Sequence, residues 1–196
     1  MTAPDLSPSA CAAFLVAAFT LAGVCQAAWL ASPVSQRFAI PLDCGRTVRG
    51  HRVLGDNKTW RGFVMMVPAT SASFALLAAL LIASPVRLAG LWPLSIGSYA
   101  VVGLWAGLGF MAGELPNSFL KRQLGIPAGA AARGRIARPV FFLIDHVDSA
   151  IGTMLALALV VAAPRRTWMY VAAAGPILHG VFSLLVFQLG GKARAA

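Results

Sequence analysis

Five long apolar stretches, at about residues 9–31, 63–83, 91–113, 139–163 and 168–189, leave this 196-residue chain little freedom in what it can become. Each is close to the roughly 20 residues that a helix needs to cross a bilayer. Hydrocarbon offers a backbone no partners, so only helices or closed barrels can span it, and segments of this length are helical. Hydrophobic residues make up 59% of the chain and charged ones only 11%, against about 25% charged in soluble domains. The expectation is an all-α integral membrane protein, a single bundle of about five transmembrane helices with no separate soluble domain. Met1 to Pro8 lacks Lys and Arg, the wrong n-region for a cleaved signal peptide, and is expected to be a short tail on the non-cytoplasmic side. Cys11, Cys25 and Cys44 are odd in number and lack metal-ligand spacing, which reads as packing.

Charge is distributed unevenly between the loops. The polar loop at 33–62 holds six Lys or Arg and that at 114–138 five, with Lys192 and Arg194 in the tail, whereas the two short turns hold one and two. The positive-inside rule then places both polar loops and the C-terminus in the cytoplasm and the N-terminus outside. The net charge of +10 is thereby accounted for at a lipid surface, without nucleic acid as a partner. Gly103-x-x-x-Gly107 and Gly109-x-x-x-Gly113 in the third span put small residues on one helix face, a signal for close helix packing.

The densest polar information lies in Leu42 to Phe63, which includes Asp43, Arg46, Asp56, Asn57, Lys58 and Arg61. Gly45, Gly50, Gly55 and Gly62 permit turns and close backbone approach. Arg46, Arg49, Arg52, Lys58 and Arg61 bring the charge and donor geometry that phosphate oxygens accept. The competing interpretation is that these cations only set topology.

Asp145 and Asp148 recur at i, i+3 and share one face of the fourth span. Only 149–163 of that span is free of charge, about 22 Å of helix against about 30 Å of hydrocarbon, so the acids should lie just inside the cytoplasmic surface. Intramembrane acids there line a wet cavity and meet cations. A hard cation such as Mg2+, shared with substrate phosphates, suits the pair; an ion pair with Arg138 or Arg61 is the alternative. Glu114 and Asn117 repeat the i, i+3 spacing at the exit of the third span, with Lys121 one turn on. Glu114 would serve as a further metal ligand or as partner to a loop arginine. Asn117 and Ser118 could equally cap a short helix whose Lys121 and Arg122 are solvated. Cationic donors and a metal are what phosphoryl-type transfer requires. The non-enzymatic alternatives are a transporter, which would instead spread polar groups through mid-bilayer, and a lipid-binding scaffold whose basic loops clasp anionic headgroups.

Three motifs carry a family resemblance. Gly-Asp-Asn-Lys-Thr-Trp-Arg-Gly at 55–62, preceded by Pro-Leu-Asp-Cys-Gly-Arg at 41–46, resembles the first loop of the CDP-archaeol synthases, relatives of the CDP-diacylglycerol synthases. Glu-Leu-Pro-Asn-Ser-Phe-Leu-Lys-Arg-Gln-Leu-Gly at 114–125 is similar to their second loop, and Phe-Leu-Ile-Asp-His-Val-Asp-Ser at 142–149 to their Asp-x-x-Asp segment. The resemblance implies a multi-pass cytidylyltransferase of the cell membrane, with its site facing the cytoplasm. It would use CTP and Mg2+ to convert a phosphatidate-like or isoprenoid ether lipid phosphate into a CDP-lipid, releasing pyrophosphate. Membrane lipids are the other implied partners, and a homodimer is compatible with it. Carried onto this chain, Asp43, Arg46, Asn57, Lys58, Thr59 and Arg61 would bind nucleotide and phosphate. Asp145 and Asp148 would bind metal and act in catalysis with Lys58, while Glu114, Asn117, Ser118 and Lys121 shape the polar cavity, Lys121 on a phosphate. The chain departs from the family pattern at Glu114, where Asp is common, and at His146, where Gln is common.

Overall fold

The computed structural model describes residues 6–85 and 88–188; Arg87 and the basic tail with Lys192 and Arg194 lie outside them. Five helices are long and apolar enough to cross a membrane: α1 (Pro8–Ala31), α2 (Trp60–Ala83), α3 (Ile96–Gln123), α4 (Ala137–Ala158) and α5 (Arg165–Gln188). Helix starts carry recognisable caps. The Ser7 hydroxyl accepts from Ala10 N–H at 3.3 Å ahead of Pro8, and that of Ser95 accepts from Ser98 N–H at 3.1 Å. Outward-facing side chains such as Val101, Leu155 and Ile177 are exposed and apolar, as lipid-facing surfaces are.

One end of the bundle is closed by aromatic packing. Phe14 lies 5.2 Å from both Phe74 and Tyr99, ring centroid to centroid. The Tyr99 hydroxyl donates to the Trp92 carbonyl at 2.7 Å, and the Trp92 indole N–H to that of Ala162 at 2.6 Å. The polar tips of Tyr99 and Trp92 thus each have a partner, as an apolar setting requires.

Small residues set the helix spacing. A Cβ on Gly103 would lie 2.8 Å from the Thr70 carbonyl oxygen, and one on Gly113 would lie 2.6 Å from that of Asp148 and 2.9 Å from Gly152 Cα. The first pair of glycines therefore seats α2 on α3, and the second brings α3 and α4 into backbone contact, as the spacing suggested.

The helix limits differ from the apolar stretches in two places that matter. Residues 91–95 are irregular chain ahead of α3, and α3 continues through the polar 114–123 segment where the sequence suggests a loop. Pro116 sits inside the helix at the loss of one backbone bond, and Glu114, Asn117 and Lys121 find partners on neighbouring elements. Asn117 and Ser118 consequently cap no short helix. The 33–62 loop is also more ordered than a plain connector. It holds a 3-10 turn (Pro33–Phe38) and a hairpin of β1 (Thr47–Val48) and β2 (His51–Arg52). Bonds from Leu42 N–H to the Lys58 carbonyl (2.8 Å) and from Trp60 N–H to that of Ile40 (3.0 Å) clasp its ends together.

Candidate active site

Seven side chains from three elements form one connected polar network where the loop before α2 meets α3 and α4. Lys58 pairs with the Glu114 carboxylate, whose other oxygen accepts from the Ser149 hydroxyl at 2.9 Å. Asp148 accepts from Ser149 N–H at 2.7 Å and from the Asn117 amide at 2.9 Å. That same Asn117 nitrogen donates to Asp145 at 2.6 Å, and the Lys121 ammonium spans both Asp145 oxygens at 2.6 and 2.5 Å. The Phe141 ring lies 5.5 Å from that ammonium and adds a cation–π contact. Backbone contact at Gly113 and Gly152 is what lets short side chains on α3 and α4 meet.

The electrostatics follow from the packing. Burial, the largest single influence on the Lys58 ammonium, lowers its pKa, yet Glu114, with Asp148 and Asp145 behind it, outweighs burial and the pKa is raised. Lys58 therefore stays cationic. In the loop, Asp43 has a side chain 1% exposed. Its carboxylate accepts from the Arg52 guanidinium at 2.7 and 3.2 Å and from the N–H groups of Gly45, Leu54 and Gly55 at 3.1, 2.9 and 3.1 Å. The Arg52 hydrogen bond first, and then these backbone donors, hold its carboxyl far below the usual carboxylate range against the opposing effect of burial. Arg52 is in turn raised by Asp43, with Asp56 adding to it.

Six of the sequence-derived site residues thus come together: Lys58, Glu114, Asn117, Lys121, Asp145 and Asp148. Ser118 is buried beside Asn117. Asp43 organises the loop that carries Lys58, Thr59 is half-buried at the clasp, and Arg46 and Asn57 are exposed on the loop. Arg61 turns elsewhere. Its guanidinium donates to the Leu30 carbonyl at 2.7 Å and to the Ser35 hydroxyl at 2.6 Å, closing the C-terminus of α1, where a cation is favoured. Asp145 pairs with Lys121 rather than with Arg138 or Arg61, and the loop cation on Glu114 is a lysine. Sequence reasoning missed Ser149 and Arg122. Ser149 follows Asp148 directly, but its link to Glu114 joins residues 35 apart in the chain. Arg122, read as solvated, is only 7% exposed.

The donor set fits a hard divalent ion. Among the described residues no group of three or more His, Cys, Asp or Glu side chains could hold a metal alone, but Mg2+ needs only one or two carboxylates with waters and substrate phosphates. The Asn117 amide oxygen is buried without a partner. Turning that amide over would aim its oxygen at both aspartates, an arrangement that only a cation among them would favour. All of these groups gather at one end of the bundle, opposite the aromatic closure, as expected for an enzyme and not for a mid-bilayer transport path.

Comparison with known proteins points to a single family. A family profile described as "CarS-like: CDP-archaeol synthase" matches residues 28–194. A CDP-archaeol synthase of Halobacterium salinarum is 32% identical over 165 residues, covering 78% of this chain and 81% of that protein. One of Halorubrum lacusprofundi is 34% identical over 160 residues, with the same 78% and 81% covered. Among solved structures, an intramembrane enzyme of archaeal membrane lipid biosynthesis superposes with a TM-score of 0.54 at 31% identity, over 83% of this chain and 88% of that one.

Proposed function

Since the chain belongs to the CDP-archaeol synthase family, whose members are CTP-dependent cytidylyltransferases that make CDP-lipids, we propose that it transfers the cytidylyl group of CTP to a membrane-borne lipid phosphate and releases pyrophosphate. The relatives' name supports an isoprenoid ether lipid phosphate, and a phosphatidate-like lipid offers the same reacting group. A phosphate oxygen of the lipid forms a bond to the α-phosphorus of CTP. The bond from that phosphorus to the bridging α–β oxygen breaks, and its electron pair leaves on pyrophosphate. No covalent enzyme intermediate is needed.

The observation that carries this reading is the single network joining Lys58, Glu114, Asn117, Lys121, Asp145 and Asp148. Lys58, kept cationic by Glu114, is placed to offset charge on the nucleotide phosphates. Asp145 and Asp148 are the residues that would hold Mg2+, which would neutralise phosphate charge and orient the triphosphate. Lys121 holds Asp145 in place and is free to re-aim its ammonium at a phosphate once the acids engage a metal. Asp43 maintains the loop around Lys58, Asn57 and Thr59 that receives the nucleotide. The excess of Lys and Arg in the two polar loops supports a cell-membrane enzyme with this end of the bundle in the cytoplasm, where CTP is found.

The test is incubation of purified protein with labelled CTP, Mg2+ and a panel of lipid phosphates, followed by organic extraction. Label should appear in the organic phase with an ether lipid phosphate or phosphatidate and require Mg2+. Label retained in water with every lipid phosphate would overturn the assignment.

A further inference from the structure

Among the described residues, Arg122 is a buried cation that neither the catalytic network nor the loop pairs. The other described cations that are half-buried at this end each have partners: Arg52 on Asp43 and Asp56, Lys58 on Glu114, Lys121 on Asp145, and Arg61 on the end of α1. Arg122 is 7% exposed, and its Nε and Nη1 are buried with no hydrogen-bond partner. A guanidinium with two of its three nitrogens removed from water and unpaired is unfavourable. Such an arrangement persists in a binding protein when an anion is meant to complete it.

A place for that anion adjoins it. Arg122 lines a cavity of about 260 Å3 whose wall is completed by the β1–β2 hairpin, the turn at Gly55 and Asp56, and the segment after α3 from Gly125 to Ala128. Gly50 and Gly125 would meet nothing within 4 Å of an added Cβ, so no side chain crowds those walls. At Gly55, with φ +92°, a Cβ would come within 3.4 Å of Arg122 Cδ and 3.2 Å of the Ala128 side chain. Only glycine leaves both the backbone conformation and the space open there. His51 and Arg52 bring further donors, against the single acid Asp56. The volume is below the roughly 300–1,000 Å3 of a pocket that encloses a whole small ligand, so it suits one end of a longer one.

We infer that this cavity is a second phosphate-binding pocket, in which Arg122 receives the terminal phosphates of the nucleotide and then the departing pyrophosphate. The assignment rests on the cytidylyltransferase reading for its ligand. Two short stretches of chain tie the pocket to the acid network: Gly55 and Lys58 share one turn, with Lys58 N–H hydrogen-bonded to the Gly55 carbonyl at 3.2 Å, and Lys121 and Arg122 are adjacent on α3. A triphosphate laid along that turn would have its reacting phosphate near Lys58 and its far end at Arg122. A lipid headgroup offers the same oxyanion chemistry. The walls, however, come from the hairpin and the segments flanking α2 and α3, which favours an anion arriving from water.

The test measures ligand-induced shifts in melting temperature and binding isotherms for the full-length protein in detergent, with inorganic pyrophosphate, CMP and a short-chain lipid phosphate as separate probes. Arg122→Gln should weaken pyrophosphate binding about ten-fold or more, and Arg122→Lys less, with CMP and lipid phosphate little changed. Ala128→Leu, which fills the cavity without touching the charge, should weaken pyrophosphate too and stands in should Arg122→Gln not fold. Pyrophosphate binding unaltered in folded Arg122→Gln or in Ala128→Leu would overturn the pocket, and selective loss of lipid phosphate binding would overturn its assignment to the nucleotide. Pyrophosphate binding through Arg122 in a protein that transfers nothing from CTP would sink the reaction while the anion pocket stands.

Discussion

Asp43 accepts five hydrogen bonds, all from its own loop, whereas Asp145 and Asp148 on α4 are held largely by Lys121 and Asn117 reaching across from α3. The chemistry of the three carboxylates is the same and their circumstances are not. Three of Asp43's donors are backbone N–H groups, which cannot move without unfolding the loop. The partners of Asp145 and Asp148 are mainly side-chain tips, one of them on a flexible four-carbon stem that re-aims at little cost. The loop acid therefore gives shape, and the helix acids keep partners that can be exchanged.

That contrast can be broken by substitution. Asp148→Asn should lower Mg2+-dependent cytidylyl transfer by about 10³-fold or more while the protein stays folded in detergent; near-normal turnover would remove the metal role and with it the distinction from Asp43. Lys58→Ala should cost roughly 10²-fold in rate, and an unchanged rate would reduce Lys58 to a topology charge. Asp43→Ala should act differently, raising KM for CTP about ten-fold through a loosened loop with kcat changed far less; a kcat effect as large as that of Asp148→Asn would place Asp43 among the reacting groups.

The smallest effect concerns pH. A carboxyl whose pKa is lowered by folding stabilises above its unfolded value, near 3.9 for Asp, and that contribution is lost as pH falls through the depressed folded value. A lysine whose pKa is raised stabilises below its unfolded value, near 10.4, and the contribution is lost as pH rises through the elevated folded one. With Asp43 lowered and Lys58 raised, the loop should hold from about pH 5 to 9. Amide hydrogen exchange at Leu54 and Gly55, corrected for intrinsic rates, should show constant protection across that window. A loss of protection inside it would mean the loop is as exchangeable as the α3–α4 acids.

Much of this was legible in the sequence because it rests on periodicity. Apolar length gave the five helices, Gly109 and Gly113 announced the approach of α3 and α4, and the i, i+3 spacing put Asp145 and Asp148 on one face. What could not be read depends on partners remote in the chain. The helical state of 114–123 depends on Lys58 and the α4 acids, which satisfy a polar surface that otherwise looks like a loop around Pro116. An arginine in a final helical turn is ordinarily solvated, and nothing in the letters around Arg122 shows that the hairpin covers it. Arg61 looks like a phosphate ligand until the carbonyl of Leu30 is seen to be within its reach.

The meeting of Gly113 with Gly152 and the Asp148 carbonyl has a mechanical corollary. Two helices touching main chain to main chain have no compressible layer between them, so they should turn or tilt only as a single beam. Accommodating lipids of different chain length or branching then falls to the more loosely seated members of the bundle, and the distance between the reacting groups stays the same whichever tail is present.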